Sequence, residues 1–263
     1  MRLALALFAV ALVCAPLAAA SRIGPEPYRR PHVPYLWEQR RAITKLLQRG
    51  QPVYCGGGRS DAVALTFDDG PGPYTAQIVQ ILRETHARAT FFLVGNRIQY
   101  WPELPREEAA VGAIGDHSWS HPRLTELPRW LQWLELRRTA WSEEQTLGWR
   151  PRLGRMPYGR HDATTDAVAR ALGLLEVFWS VDTRDDVPRA RVRDVVRNAV
   201  AGMRPGAIIL MHDIHPWTLA ALPRILDALR LDHLRAVTVP ELLALDPPAP
   251  GQGCPYGVVS RGD

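Results

Sequence analysis

The chain has 263 residues, 46% of them hydrophobic and 22% charged, with a net charge of +5. That is enough for one globular domain of about 200 residues that buries roughly 70–75% of its unfolded surface, so neither a disulfide nor a structural metal is required for folding. The charge is carried almost wholly by arginine, Lys45 being the only lysine, and the arginines are scattered with no nucleic-acid motif among them, which argues against a nucleic-acid partner.

Residues 1–20 open with Arg2, run apolar from Leu3 to Leu17 and end in Ala18-Ala19-Ala20 before Ser21. This is the layout of a secretory signal peptide, too short for a spanning helix, and it predicts an exported protein with no stable membrane insertion after cleavage. Export leaves Cys55 and Cys254 in the mature chain, on opposite flanks of the main domain. Two cysteines so placed in an oxidising compartment form either a bridge that closes the ends or two free thiols, and the sequence leaves both open. Residues 21–60 are Pro- and Arg-rich around one amphipathic stretch, Leu36 to Leu47, and read as an N-terminal extension that ends at Gly56-Gly57-Gly58.

From Asp61 onward, strand and helix patterns alternate. Apolar runs at Ala62–Phe67, Ala89–Val94, Leu175–Val181 and Ala207–Met211 are short and unalternated, as strands covered on both faces should be. Shorter candidates lie at Ala113–Gly115, Leu153–Met156 and Ala236–Val239. Between them, Ile78, Ile81 and Leu82 share a helical face, as do Val192, Val195, Val196 and Ala199, and then Leu222, Ile225, Leu226 and Leu229. Repeated βα units within residues 61–245 predict an α/β fold, a distorted (β/α) barrel of about seven strands, with an open doubly wound sheet as the alternative. Residues 246–263, rich in Pro and Gly, read as a tail. Trp130, Trp133 and Trp141 lie in a helical stretch and are expected to be packed.

Five polar clusters follow candidate strands. Asp68-Asp69 is cut off at once by Gly70-Pro71, which holds two carboxylates at a strand tip, where a metal ion would relieve their repulsion. His117 and His121 are spaced to project from one face of a helix or turn, and with Asp69 they make an Asp-His-His set that leaves coordination positions open, as catalytic zinc sites do. The residue after the first histidine is Ser118 rather than Glu, which excludes the zincin protease pattern. Arg155 of Arg155-Met156-Pro157-Tyr158-Gly159 can hold a carboxylate through a bidentate bridge. Asp182-Thr183-Arg184-Asp185-Asp186 follows another strand, and His212 stands at the tip of Ile208–Met211, placed for proton transfer. Barrel enzymes build their sites from the loops that follow strands, so the joint placement points to one catalytic centre.

In this order the motifs resemble those of the NodB-homology polysaccharide deacetylases, carbohydrate esterase family 4, over about Asp61 to Leu245. The resemblance implies a metal-dependent deacetylase acting on N-acetyl groups of a polysaccharide such as peptidoglycan or a chitin-type oligomer, with O-acetyl groups of xylan as the alternative. It implies Asp68 as general base and Asp69, His117 and His121 as ligands of a divalent metal, zinc first, with cobalt or nickel also fitting. It implies Arg155 as the residue that orients the base, Asp185 as the acid that tethers that arginine, Tyr158 as an oxyanion donor through its amide, Leu210 as a wall of the acetyl pocket and His212 as general acid. Asp186 stands where the family has tryptophan, so a pocket wall is lost or rebuilt, with Trp179 or Trp217 as substitutes. A monomer is expected, and a non-catalytic carbohydrate-binding member of the fold is the remaining alternative.

Overall fold

A computed structural model describes residues 34–252 and Cys254; the signal-peptide reading of residues 1–20 and most of the tail lie outside these. The strands are β1 (Ala62–Asp68), β2 (Ala89–Leu93), β3 (Gly112–Asp116), β4 (Leu153–Gly154), β5 (Leu175–Glu176), β6 (Val181–Asp182), β7 (Ile208–His212) and β8 (Arg235–Val237). All pair in parallel, in the order β5-β4-β3-β2-β1-β7-β6, with β8 branching off beside the first half of β1.

The run Leu175–Val181 is not one strand. It supplies both β5 and β6, which form the two opposite edges of the sheet. Only residues 177–180 connect them, and so short a link spans no more than about 18 Å. The sheet must therefore curl until its edges approach, which makes the distorted barrel and excludes the open doubly wound sheet. The reason for the misreading is that the link, Val177-Phe178-Trp179-Ser180, is itself buried and has no Gly or Pro to mark a turn.

Curling divides the core into two layers. Val63, Leu65 and Phe67 of β1 point outward, where they pack with Ile78 and Leu82 of α2 (Thr75–Thr85), Val195 of α6 (Val192–Gly202) and Leu222 and Ile225 of α7 (Pro216–Leu231). Ala62 and Ala64 point inward with Phe92, Trp179 and Leu210, and this layer is closed by Ile43 and Leu46 of α1 (Leu36–Arg49) and Leu242 and Leu243 of α8 (Val239–Leu245). Each large apolar side chain removed from water contributes about 1.5–3 kcal/mol, and both faces of β1 collect that gain. Thr66 and Asp68 continue the inward face, so the period of two that buries the alanines also aims the aspartate into the barrel mouth.

The flanks of the domain meet. Cys55 and Cys254 are bridged, with Cα atoms 5.8 Å apart across a sequence separation of 199. Beside the bridge the Asp246 carboxylate accepts from Ser60 N (3.0 Å) and pairs with Arg59 (2.6 Å). The other α-helices among the described residues are α3 (Leu104–Val111), α4 (Arg129–Leu147) and α5 (Ala163–Ala171). The expectation that the α4 tryptophans are packed fails: α4 faces the domain with Gln132, Leu136, Thr139, Ala140 and Glu143, and the helical repeat then turns Trp130, Trp133 and Trp141 outward. Among the described residues no helix is long and apolar enough to cross a membrane.

Candidate active site

Parallel pairing in register brings five strand ends to one rim: Asp68 of β1 lies opposite Phe92 of β2 and His212 of β7, and Asp116 of β3 opposite Gly154 of β4. The chain then turns sharply at the rim. Asp69, Ser118, His121 and Tyr158 all adopt left-handed backbone conformations, with φ between 59° and 72°. Such strain concentrates where a side chain must be held in one direction. The turn after Asp69 also needs its glycine, because a Cβ on Gly70 would lie 2.5 Å from the Asp213 carboxylate. Asp213 is wholly buried and bonds Thr75, whose hydroxyl accepts from Gly72 N (2.8 Å), so the loop carrying Asp69 is laced from beneath.

His117 and His121 lie on a turn, not on a helix. Ser118 N donates to Asp116 Oδ1 (2.8 Å) and His121 N to Ser118 Oγ (3.1 Å), which folds the segment so that the two rings stand 4.9 Å apart. Nε2 of His121 and of His117 lie 3.2 and 3.5 Å from Asp69 Oδ1. His117 Nδ1 contacts the Arg155 carbonyl at 2.7 Å. A carbonyl only accepts, so Nδ1 carries the proton. Burial and the neighbouring His121 lower the His117 pKa to about 3, so its Nε2 presents a lone pair to a carboxylate oxygen that is itself buried without a hydrogen-bond partner. Two electron-rich atoms face each other, and the donor set of two imidazoles and one carboxylate fits a divalent cation with further positions open. A second group, His161, Asp166 and Glu176, is also close together. There both ring nitrogens of His161 are engaged, by Asp166 Oδ1 and Tyr54 Oη at 2.8 Å each, and that group reads as a hydrogen-bonded anchor for the segment before β1.

Arg155 is 0% exposed and spans the barrel interior. Its Nη1 donates to Asp68 Oδ1 (2.7 Å) and Thr66 Oγ1 (2.8 Å), its Nε to Val177 O (2.8 Å) and its Nη2 to Phe178 O (3.1 Å), while the guanidinium lies 4.1 Å from the Phe92 ring centroid. The expected bidentate bridge is therefore a single bond, because the other donors satisfy buried carbonyls. Asp185 does not tether Arg155. Its Oδ1 pairs with His212 Nδ1 (2.7 Å), and its Oδ2 accepts from His212 N (2.7 Å) and Thr218 Oγ1 (2.5 Å). The reason is register: β6 runs beside β7 with Asp182 opposite Leu210, so the chain after β6 emerges next to His212, with β4 and Arg155 on the far side of β1.

The two buried aspartates differ in consequence. Burial raises the Asp68 pKa, and Arg155 and His212 only partly offset this. Burial also acts upward on Asp185, but the charge and hydrogen bond of His212 and the bond from Thr218 outweigh it and hold the group below the usual carboxylate range. Burial pulls His212 down, yet Asp185, with Asp69 and Asp68 adding to it, pushes its pKa up to about 10.

Leu210 is 1% exposed and belongs to the inner core beneath His212, so it is not an open pocket wall. Tyr158 is 41% exposed, with its ring 4.7 Å from His121 and Arg123 stacked over it at 5.3 Å. Of the two candidate tryptophan substitutes, Trp179 is buried under Arg155, whereas Trp217 sits at the rim, donating to Asp185 O (2.6 Å) and stacking on His215 at 4.8 Å. Sequence reasoning missed Thr66 and Thr218. Thr66 was readable, being two residues before Asp68 on the same strand face; Thr218 was not, because it reaches Asp185 from α7.

A family model described as polysaccharide deacetylase matches residues 56–177. The chain is 37% identical over 182 residues to peptidoglycan-N-acetylglucosamine deacetylase PgdA of Listeria monocytogenes, a match covering 68% of this chain but only 38% of that protein. It is 35% identical over 196 residues to a chitooligosaccharide deacetylase of Rhizobium leguminosarum bv. trifolii, covering 73% of this chain and 86% of the relative. Among solved structures, the family 4 carbohydrate esterase from Streptomyces lividans in complex with acetate superposes with a TM-score of 0.64 at 36% identity, over 69% of this chain and 92% of that one. The chain belongs to the polysaccharide deacetylase family, the NodB-homology or family 4 carbohydrate esterases.

Proposed function

We propose that this protein is a metal-dependent deacetylase that hydrolyses N-acetyl groups of an amino-sugar polymer and releases acetate. The observation that carries the reading is the unequal use of the two buried aspartates. Asp185 has both oxygens engaged and cannot take a proton without losing its partners. Asp68 commits Oδ1 to Arg155 and leaves Oδ2 without a hydrogen bond among the described residues, 3.7 Å from His117 Nε2 and facing the triad. Environments that split two like groups in this way assign the base and the holder.

In this reading Asp68 takes the proton of the water that attacks the acetyl carbon. Its burial-raised pKa brings a carboxylate closer to working pH, where general bases are most effective. Asp69, His117 and His121 would hold a divalent cation, zinc in first place, which would supply Lewis-acid chemistry at the acetyl carbonyl and lower the pKa of water. The Tyr158 amide donates to the developing oxyanion. His212, kept protonated by Asp185, donates from Nε2 to the departing amine.

The apolar leader at residues 1–20 and the naming of relatives for peptidoglycan and chitooligosaccharide favour an envelope glycan met outside the cytoplasm, peptidoglycan ahead of chitin-type oligomers. The second reading, O-acetyl ester hydrolysis, is kept because Asp186 replaces a pocket tryptophan. Acetate release measured on peptidoglycan, chitin oligosaccharides and acetylated xylan separates them, and release from xylan alone would overturn the amino-sugar assignment. His121→Ala should lose the bound metal; full occupancy in that variant would remove the triad as its site.

A further inference from the structure

The outer face of α4 has the composition of a core. At 100° per residue Trp130, Trp133, Arg137 and Trp141 fall within an arc of roughly 80°, and the stripe runs about 16 Å along the helix. The three indoles are 65%, 45% and 54% exposed, while Gln132, Thr139 and Glu143 face inward. A surface helix ordinarily turns its apolar stripe to the core. A row of exposed tryptophans on the opposite side marks a binding surface.

We propose that this stripe binds a polysaccharide chain and holds the polymer beside the catalytic cleft, an inference that rests on the deacetylase reading. The exposed indole area is roughly 400 Å², about half of what each partner contributes to a stable protein–protein interface, so the patch is too small for a second copy of the chain or a folded partner. A glycan needs only a row of flat apolar faces for the C–H faces of its sugar rings, with donors beside them for its oxygens. Those donors are present. Arg137, midway along the stripe, makes no hydrogen bond or ion pair among the described residues, and its Nη1 is already shielded from solvent without an acceptor. Arg129 lines a shallow groove with Trp130, Trp133 and Val168. Cations set between indoles suit a polymer carrying hydroxyl, amide and carboxylate oxygens; a hydrocarbon surface offers them none.

The stripe is also braced on the cleft. Glu135 of α4 accepts from Ser120 N (2.8 Å) and Ser120 Oγ (2.9 Å), and Arg138 lies 4.2 Å over the Trp119 ring. Both partners belong to the turn between His117 and His121, so a polymer held on α4 is fixed relative to the triad.

The test uses the Asp68→Asn protein, which binds without turnover, and compares it with the same protein carrying Trp130→Ala, Trp133→Ala and Trp141→Ala. Retention on insoluble peptidoglycan and on chitin should fall at least tenfold, and a Trp→Phe version of the triple variant should keep most of it, which separates lost stacking from misfolding. In the catalytically intact background, acetate release from a short soluble N-acetylhexosamine oligomer should be unchanged while release from the insoluble polymer falls. Equal retention of the alanine variant would overturn the proposal, as would binding to phosphatidylglycerol vesicles in place of polymer, or a sedimenting dimer that the variant dissolves. Stripe-dependent retention by a protein that releases acetate from no polymer would instead sink the deacetylase reading and leave the binding surface standing.

Discussion

Asp185→Asn is the perturbation that best separates the two assignments available for this residue. The structure gives Asp185 to His212, at 2.7 Å, and not to Arg155. Against burial, its charge and hydrogen bond are the main forces that push the His212 pKa up to about 10. Removing the charge while keeping the shape should let His212 fall toward its ordinary value near 6.5, a change of about 5 kcal/mol at 1.36 kcal/mol per unit. At pH 8 only about 3% of the imidazole would then be protonated, so acid catalysis falls about 30-fold from protonation alone, and loss of ring orientation extends this toward the 10²–10⁴ range of general acid–base effects. A cation on the triad offsets the pull of Asp69, so the metal-loaded parent should titrate somewhat below the metal-free one. The assay is acetate release from pH 5 to 10 together with NMR titration of the His212 ring. The alkaline limb should move down by several units and the acidic limb, which reports Asp68, should stay. An unmoved alkaline limb, or a shifted acidic one, would refute the pairing and restore Asp185 to Arg155. The same pair has a stability signature. A histidine whose folded pKa is raised stabilises fully below pH 6.5, and the contribution is lost as pH rises through about 10, so parent and variant should converge in stability at the alkaline end.

Arg155→Lys should cost about 3–5 kcal/mol, since one ammonium cannot serve Asp68, Thr66, Val177 O and Phe178 O together and leaves buried oxygens among them without a donor; thermal denaturation should show Tm lower by roughly 10 °C, with activity lost. Replacing Cys55 and Cys254 together by serine should lower stability by about 2–5 kcal/mol in denaturant titration while the domain still folds, and an unchanged midpoint would show the bridge to be mechanically idle. Leu210→Ala should cost about 2–5 kcal/mol through a cavity under His212, where an open pocket wall would show little loss of stability.

The fold was legible where a strand is long enough to carry a pattern. Ala62–Phe67 and Ala207–Met211 read correctly because both faces of β1 and β7 are covered, so the runs stay apolar but for Thr66, whose hydroxyl donates to Ile209 O. β4, β5 and β6 have two residues each, too few for any periodicity, and Leu175–Val181 was fused into one strand because its buried crossing has the composition of a strand. The α4 tryptophans misled for a different reason: apolar residues at helical spacing say that one face is apolar, not which way the helix is rotated. That rotation is fixed by what Leu136 and Ala140 find to pack against.

The site divides along the same line. Asp69, His117 and His121 come from β1 and the turn after β3, and the chemistry of paired carboxylates beside paired histidines selects them without any knowledge of register. The partner of Asp185 depends wholly on register. Three residues past the Asp182–Leu210 pair, it meets His212 because β6 lies against β7, and no property of residues 182–186 taken alone distinguishes that neighbour from Arg155. Arg155 poses the reverse case. It starts from β4, three strands from β1, and reaches Asp68 because the curled sheet lets a long side chain cross the interior. The same curvature that makes Val177 O and Phe178 O available to its guanidinium also sets Arg155 and the Asp185–His212 pair on opposite sides of Asp68. A flat sheet of the same strand order would leave Arg155, Asp68 and Asp185 in a row; only the closed one can gather them around a single centre.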